Sequence, residues 1–119
     1  MMVERRYEYA CRVIRLVDGD TIDLDVDLGF RLRMNDRFRL WHPAGRFNAP
    51  EVRGEETEMG LEATAFATQW IDLYGPDFTV RTHQDRRGGF GRWLADLIAA
   101  DGTKLTDAML DSGHAKIRR

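Results

Sequence analysis

At 119 residues, 43% of them hydrophobic, the chain can bury one modest core and is too short for two, so a single domain spanning 1–119 is expected. Its 18 basic and 20 acidic residues leave a net charge of −2, which excludes a protein that grips nucleic acid by overall charge and leaves that question to local clusters. The lone Cys11 excludes an internal disulfide and a Cys-based zinc site, and its Tyr-Ala-Cys-Arg-Val setting reads as a small core residue.

The opening "MMVERRYEYA" has no apolar run of signal length, and no stretch approaches a membrane span. An intracellular (cytoplasmic) monomer without membrane contact is therefore expected. "YEYACRVIRLV", Tyr7 to Val17, is rich in β-branched and aromatic residues and predicts a strand, after which Asp18-Gly19 marks a tight turn. From Ile22 the pattern alternates strictly: Ile22, Leu24, Val26 and Leu28 on one face, Asp23, Asp25 and Asp27 on the other. A turn near Leu28-Gly29-Phe30 reverses the chain into "RLRMNDRFRL", with Leu32, Met34, Phe38 and Leu40 facing inward. The outward acids of the second strand are expected to pair across the hairpin with Arg31 and Arg33, which makes them solvated partners rather than metal ligands.

A loop from Trp41 to Gly54 then carries two of the three prolines. An Ala-Pro step restricts Ala49 to extended backbone and fixes Pro50, so Asn48 and Glu51 are held in set directions by a stiff corner. "EETEMGLEATAFATQWIDLYG" places Met59, Ala63, Phe66, Trp70 and Leu73 at helical spacing, predicting a helix from about Glu58 to Tyr74 that buries Phe66 and Trp70 and stops at Gly75-Pro76. "DFTVRTH" and "RWLADLIAA" predict two more strands joined by "QDRRGGFG", and "GTKLTDAMLDSG" predicts a short helix capped by Thr103 and ended by Gly113. The order βββαββα gives a mainly β fold with α: a five-stranded antiparallel OB-fold barrel with a helix between strands 3 and 4 and a short C-terminal helix, a scaffold that often binds oligonucleotides.

Four separated places carry side chains of unusual chemistry: Asp18 and Asp20 in "VDGDT", Arg39 in "FRL", Asn48 and Glu51 in "NAPE", and Arg92 in "GFGRWLA". Aspartate and asparagine oxygens suit a hard cation, guanidinium forks match phosphate oxygens, and a carboxylate beside both can orient a water. Each piece alone is equally a hairpin turn, a corner or a strand start. His42, His83 and His114 have no spacing that would gather them, which argues against zinc, while "RTHQDRR" with Arg92 is the strongest basic cluster and offers a path for a phosphate backbone.

These pieces together resemble the staphylococcal nuclease (thermonuclease) family over about Tyr9 to Ile117: "VDGDTIDL", "FRL", "NAPE", "GLEATAFA", "GFGRWLA" and "MLDSGHAK" occur in the family's order. The resemblance implies an OB-fold enzyme that hydrolyses DNA or RNA with Ca²⁺, with Mg²⁺ or Mn²⁺ as other candidate ions. It assigns Asp20, Asn48 and the Ala49 carbonyl to the metal, Arg39 and Arg92 to the phosphate, and Glu51 to the attacking water, with Arg87, Phe90 and Arg46 against the nucleic acid. Asn48 stands where the family has a second aspartate, so weaker ion binding is expected, and Phe90 keeps a stacking face where a tyrosine hydroxyl is usual. "WHPAG" reads as a short insertion that moves Arg39 upstream and makes Arg46 a competing phosphate clamp. The sequence ends at Arg119, before the family's nucleotide-facing tyrosines, so weaker base stacking is expected. The alternative is a nucleic-acid-binding OB-fold module with little or no catalysis. A protein-binding OB domain is a third, which leaves the site residues without a task.

Overall fold

The computed structural model describes residues 7–51, 57–84 and 93–118. Seven strands and two helices follow in the order β1 (Glu8–Asp18), β2 (Thr21–Gly29), β3 (Leu32–Leu40), β4 (Arg46–Asn48), α1 (Thr57–Tyr74), β5 (Asp77–Gln84), β6 (Trp93–Ile98), α2 (Leu105–Asp111) and β7 (Lys116–Arg118). Five strands close into an OB-fold-like barrel in the order β1-β2-β3-β6-β5. The pairing is antiparallel except at β3 and β6, which run parallel from Phe38 opposite Trp93 to Leu40 opposite Ala95. That parallel seam modifies the all-antiparallel expectation; it arises because α1 lies between the third and fourth barrel strands and carries the chain to the far edge of the sheet.

Alternation on β2 decides the barrel interior. Ile22, Leu24 and Val26 are buried, together with Phe38 and Leu40 of β3, Val80 of β5 and Leu97 of β6. The outward acids meet arginines across the hairpin: Arg33 Nε donates to Asp25 Oδ1 at 3.0 Å and Arg37 Nε to Asp23 Oδ1 at 2.8 Å. Arg37 thus takes the place expected of Arg31, because the register sets Asp23 opposite Arg37 while Arg31 sits in the turn with a positive φ of 65°. The hairpin tip also runs past the core. Leu28 and Leu32 are exposed there rather than inward, and Phe30 projects fully into solvent.

Helix α1 packs on the barrel through Gly60, Ala63, Ala67 and Trp70. Small residues at this spacing let the helix axis approach the sheet closely, with the Trp70 ring filling the far end beside Phe78, 5.5 Å between centroids. Phe66 is half-buried against His114, while Met59 and Leu73, expected on the same inner stripe, are exposed. The inner face is narrower than the sequence pattern implied, since Gly60 and Ala67 share the contact. Nor is Thr103 the cap of α2. Its N–H donates to Asp101 Oδ1 at 2.9 Å within the preceding turn, and Lys104 occupies the cap position without a side-chain bond. Gly113, with φ of 80°, ends α2 as expected.

The sequence reading missed one element. The strands β4 and β7, each of three residues, form a separate antiparallel ribbon with Phe47 opposite Ile117. Phe47 is buried and Ile117 packs on the core, so the ribbon turns Arg46, Asn48, Lys116 and Arg118 to its other face. Among the described residues no helix is long and apolar enough to cross a membrane.

Candidate functional site

The Asp18-Gly19-Asp20 turn joins β1 to β2 at the end of the barrel nearest α1. Asp18 Oδ1 accepts the Asp20 N–H at 3.1 Å, which fixes the turn, and the Asp20 carbonyl accepts the Leu40 N–H at 2.8 Å, which fixes it to β3. Gly19 is required by proximity. A Cβ built there would lie 2.7 Å from the Ala49 Cβ and 3.4 Å from that of Ala63, so the absence of a side chain lets the turn rest on the Ala49-Pro50 corner and on α1. The two motifs are separated by nearly thirty residues of chain, yet this contact makes them neighbours.

Asp20 is buried, with 7% of its surface exposed. Its Oδ1 accepts the Thr21 hydroxyl at 3.1 Å, and its Oδ2 lies 3.8 Å from Arg39 Nη2. Burial, and then the Asp18 carboxyl beside it, push the Asp20 pKa up to about 6, with Arg39 and Thr21 opposing that rise. Arg39 is itself largely buried and donates from Nη2 to the Phe47 carbonyl at 3.2 Å. One guanidinium therefore ties β3 to β4 and faces the buried carboxylate.

All of these groups open on one groove of about 830 Å³. Asp20, Arg39, Arg46, Asn48, Ala49 and Glu51 line it, so every nominated site residue within the described stretches converges there. Arg87, Phe90 and Arg92 lie outside the described residues. Arg39 and Arg46 do not compete for one position: Arg39 lies at the floor against Asp20, whereas Arg46 stands exposed on the ribbon. The "WHPAG" segment that separates them is folded onto α2, where His42 Nε2 lies 2.8 Å from Asp107 Oδ1 and the Ala44 N–H donates to His42 Nδ1.

Arg118 and Trp93 are among the groove residues that the sequence did not single out. Arg118, on β7, lines the groove opposite Arg46. Three residues are too few to show a period, so nothing in "KIRR" marks it as a strand. Trp93 lines the same groove and is also a wall of a second opening of about 560 Å³ that contains Tyr7, Tyr9 and His83. Its signal in the sequence is an aromatic at the start of a strand directly after Gly-Arg.

The donors in the groove fit a hard cation. Asp18, Asp20, Asn48 and the backbone at Ala49 offer oxygen ligands, and two carboxylates share one turn, with the Arg39 guanidinium 3.8 Å from Asp20. Among the described residues no set of three or more His, Cys, Asp and Glu side chains is arranged around a common metal position, so an ion here depends on the amide of Asn48, on backbone oxygen and on water. No protein-family model matches this chain, and no curated protein matches it.

Proposed function

We propose that the protein is a metal-dependent nuclease of the staphylococcal nuclease type, cleaving phosphodiester bonds of DNA or RNA with Ca²⁺. The observation that carries this reading is the convergence of Asp20, Arg39, Asn48 and Glu51 on one groove from three different places in the chain. Packing brings the turn, the strand end and the proline corner together, but it does not require that they carry an aspartate, an arginine, an asparagine and a glutamate facing one groove.

Asp20 would hold the ion with Asn48 and the Ala49 carbonyl, at a site closed on one side by α1. The bound ion would supply charge stabilisation at the phosphoryl oxygens. Arg39 is preorganised by its bond to the Phe47 carbonyl, so its remaining N–H groups need no reordering to meet a phosphate oxygen. Glu51, exposed at the groove wall, orients or deprotonates the attacking water. A module that only bound nucleic acid would gain nothing from a glutamate at that position, since it repels a phosphate.

The test is direct. Plasmid and single-stranded DNA are incubated with the protein in Ca²⁺, Mg²⁺, Mn²⁺ or EDTA. Metal-dependent cleavage that Glu51→Gln removes is the expected result. Binding without cleavage under any of the ions would overturn the enzyme and leave the binding module.

A further inference from the structure

We propose that Arg46 and Arg118 form a second phosphate subsite, which holds a backbone phosphate of the polynucleotide other than the one being cleaved. The proposal rests on the nuclease reading and adds to it a reason for choosing polymer over mononucleotide.

Arg46 and Arg118 are direct cross-strand partners in the β4–β7 ribbon. Like charges placed opposite one another on a sheet oppose pairing. Elsewhere the fold avoids this: Arg12 pairs with Asp77, Arg33 with Asp25, Arg37 with Asp23, and Arg81 with Glu8. Within the groove Arg39 faces Asp20. Arg46 and Arg118 have no acidic partner among the described residues, and both line the groove. The ribbon is short, and its only inward pair is Phe47 with Ile117, so it has little packing with which to absorb a repulsion. An anion shared by the two guanidiniums removes that repulsion and uses their forked donors.

Placement supports a polymer. Arg39 and Asp20 lie at the groove floor beside the turn, whereas the arginine pair stands exposed on the ribbon. The Gly45 backbone positions the ribbon for this: a Cβ there would lie 2.6 Å from Ile117 Cγ2 and 3.2 Å from the Arg118 carbonyl, so only glycine lets β7 come this close. A chain of phosphates meets both places at once.

The experiment measures binding of a fluorescein-labelled twelve-thymidine single strand in EDTA, where no cleavage occurs, as a function of salt. Each phosphate contact removed lowers the slope of log affinity against log salt by about 0.7 for a single strand. Arg46→Ala and Arg118→Ala are each expected to lower it by that amount. Arg118→Glu separates binding from folding. It places opposite charges across the ribbon, so its thermal midpoint should equal or exceed that of the wild type while its affinity falls below that of Arg118→Ala. An unchanged salt slope in both alanine variants overturns the subsite while leaving the nuclease reading intact. Normal slopes in the wild type with no cleavage in any metal overturn the nuclease reading instead, and a wild type that does not bind the strand overturns both.

Discussion

The β2–β3 hairpin and the groove beside it use the same residue types to opposite ends. On the hairpin, the outward acids of β2 meet arginines of β3: Asp23 with Arg37, and Asp25 and Asp27 with Arg33, in exposed pairs that close their own charge. In the groove the signs are sorted instead. Asp18 and Asp20 share a turn, Arg46 and Arg118 share a ribbon, and Arg39 faces Asp20 between them. The consequence appears in the carboxyls themselves. The Arg37 hydrogen bond draws the Asp23 pKa down, while burial and Asp18 push that of Asp20 up to about 6. Matched charges make a solvated surface; sorted charges leave unmet demand for a cation at one place and an anion at another.

The largest expected break in this contrast is Arg39→Ala. It removes the link at the groove floor, and losing one such preorganised donor costs about a hundredfold to a thousandfold in turnover. Arg33→Ala on the hairpin serves as its counterpart and should leave both cleavage and thermal midpoint near wild type, since an exposed pair contributes little. Next comes Glu51→Gln, for which about a hundredfold loss of rate with strand binding retained is expected. Equal initial rates for Glu51→Gln and wild type at saturating Ca²⁺ would refute the assigned role.

Gly19→Ala is the structural version of the same break. The added methyl meets Ala49 Cβ at 2.7 Å, so the turn must move off the corner, at about 1–3 kcal/mol in urea unfolding and with weaker Ca²⁺ binding by calorimetry. Asn48→Asp should sharpen the contrast: one more negative charge in the groove tightens Ca²⁺, and an unchanged titration would show that Asn48 does not face the ion.

The smallest effect concerns pH and uses two carboxylates outside the floor of the groove. Burial raises the pKa of Asp96, which accepts the Thr106 hydroxyl at 3.0 Å. A raised folded value means that the stability it contributes is complete below the unfolded pKa of about 4 and is lost as pH climbs through the folded one. Asp23 behaves oppositely: its lowered value contributes stability above about pH 4 and loses it as pH falls through the folded pKa. Asp96→Asn should therefore remove a decline in urea midpoint as pH rises above about 4, and Asp23→Asn should remove an acid-side decline. If the two substitutions changed the midpoint in the same direction with pH, the opposite-sign assignment would be wrong.

The barrel was legible because burial imposes a period. Ile22, Leu24 and Val26 could not alternate with aspartates unless one face of β2 were inside, and Gly75-Pro76 could not continue α1. Local rules failed where two local options competed. Thr103 is a good cap in isolation, but Asp101 captures its N–H first. Leu28 and Leu32 carry the right residue type for the core, yet the hairpin outruns the barrel that would cover them.

The sequence by itself determined the five barrel strands, the first helix and the chemical identity of the groove side chains, because alternation, spacing and a proline corner act over a few residues. Tertiary structure alone decided which of those side chains meet. Gly19 had to reach Ala49 across nearly thirty residues, β3 had to run parallel to β6, and a three-residue strand at 116–118 had to find Arg46. Contacts of that kind depend on how the whole core closes, and no period within a short segment encodes them.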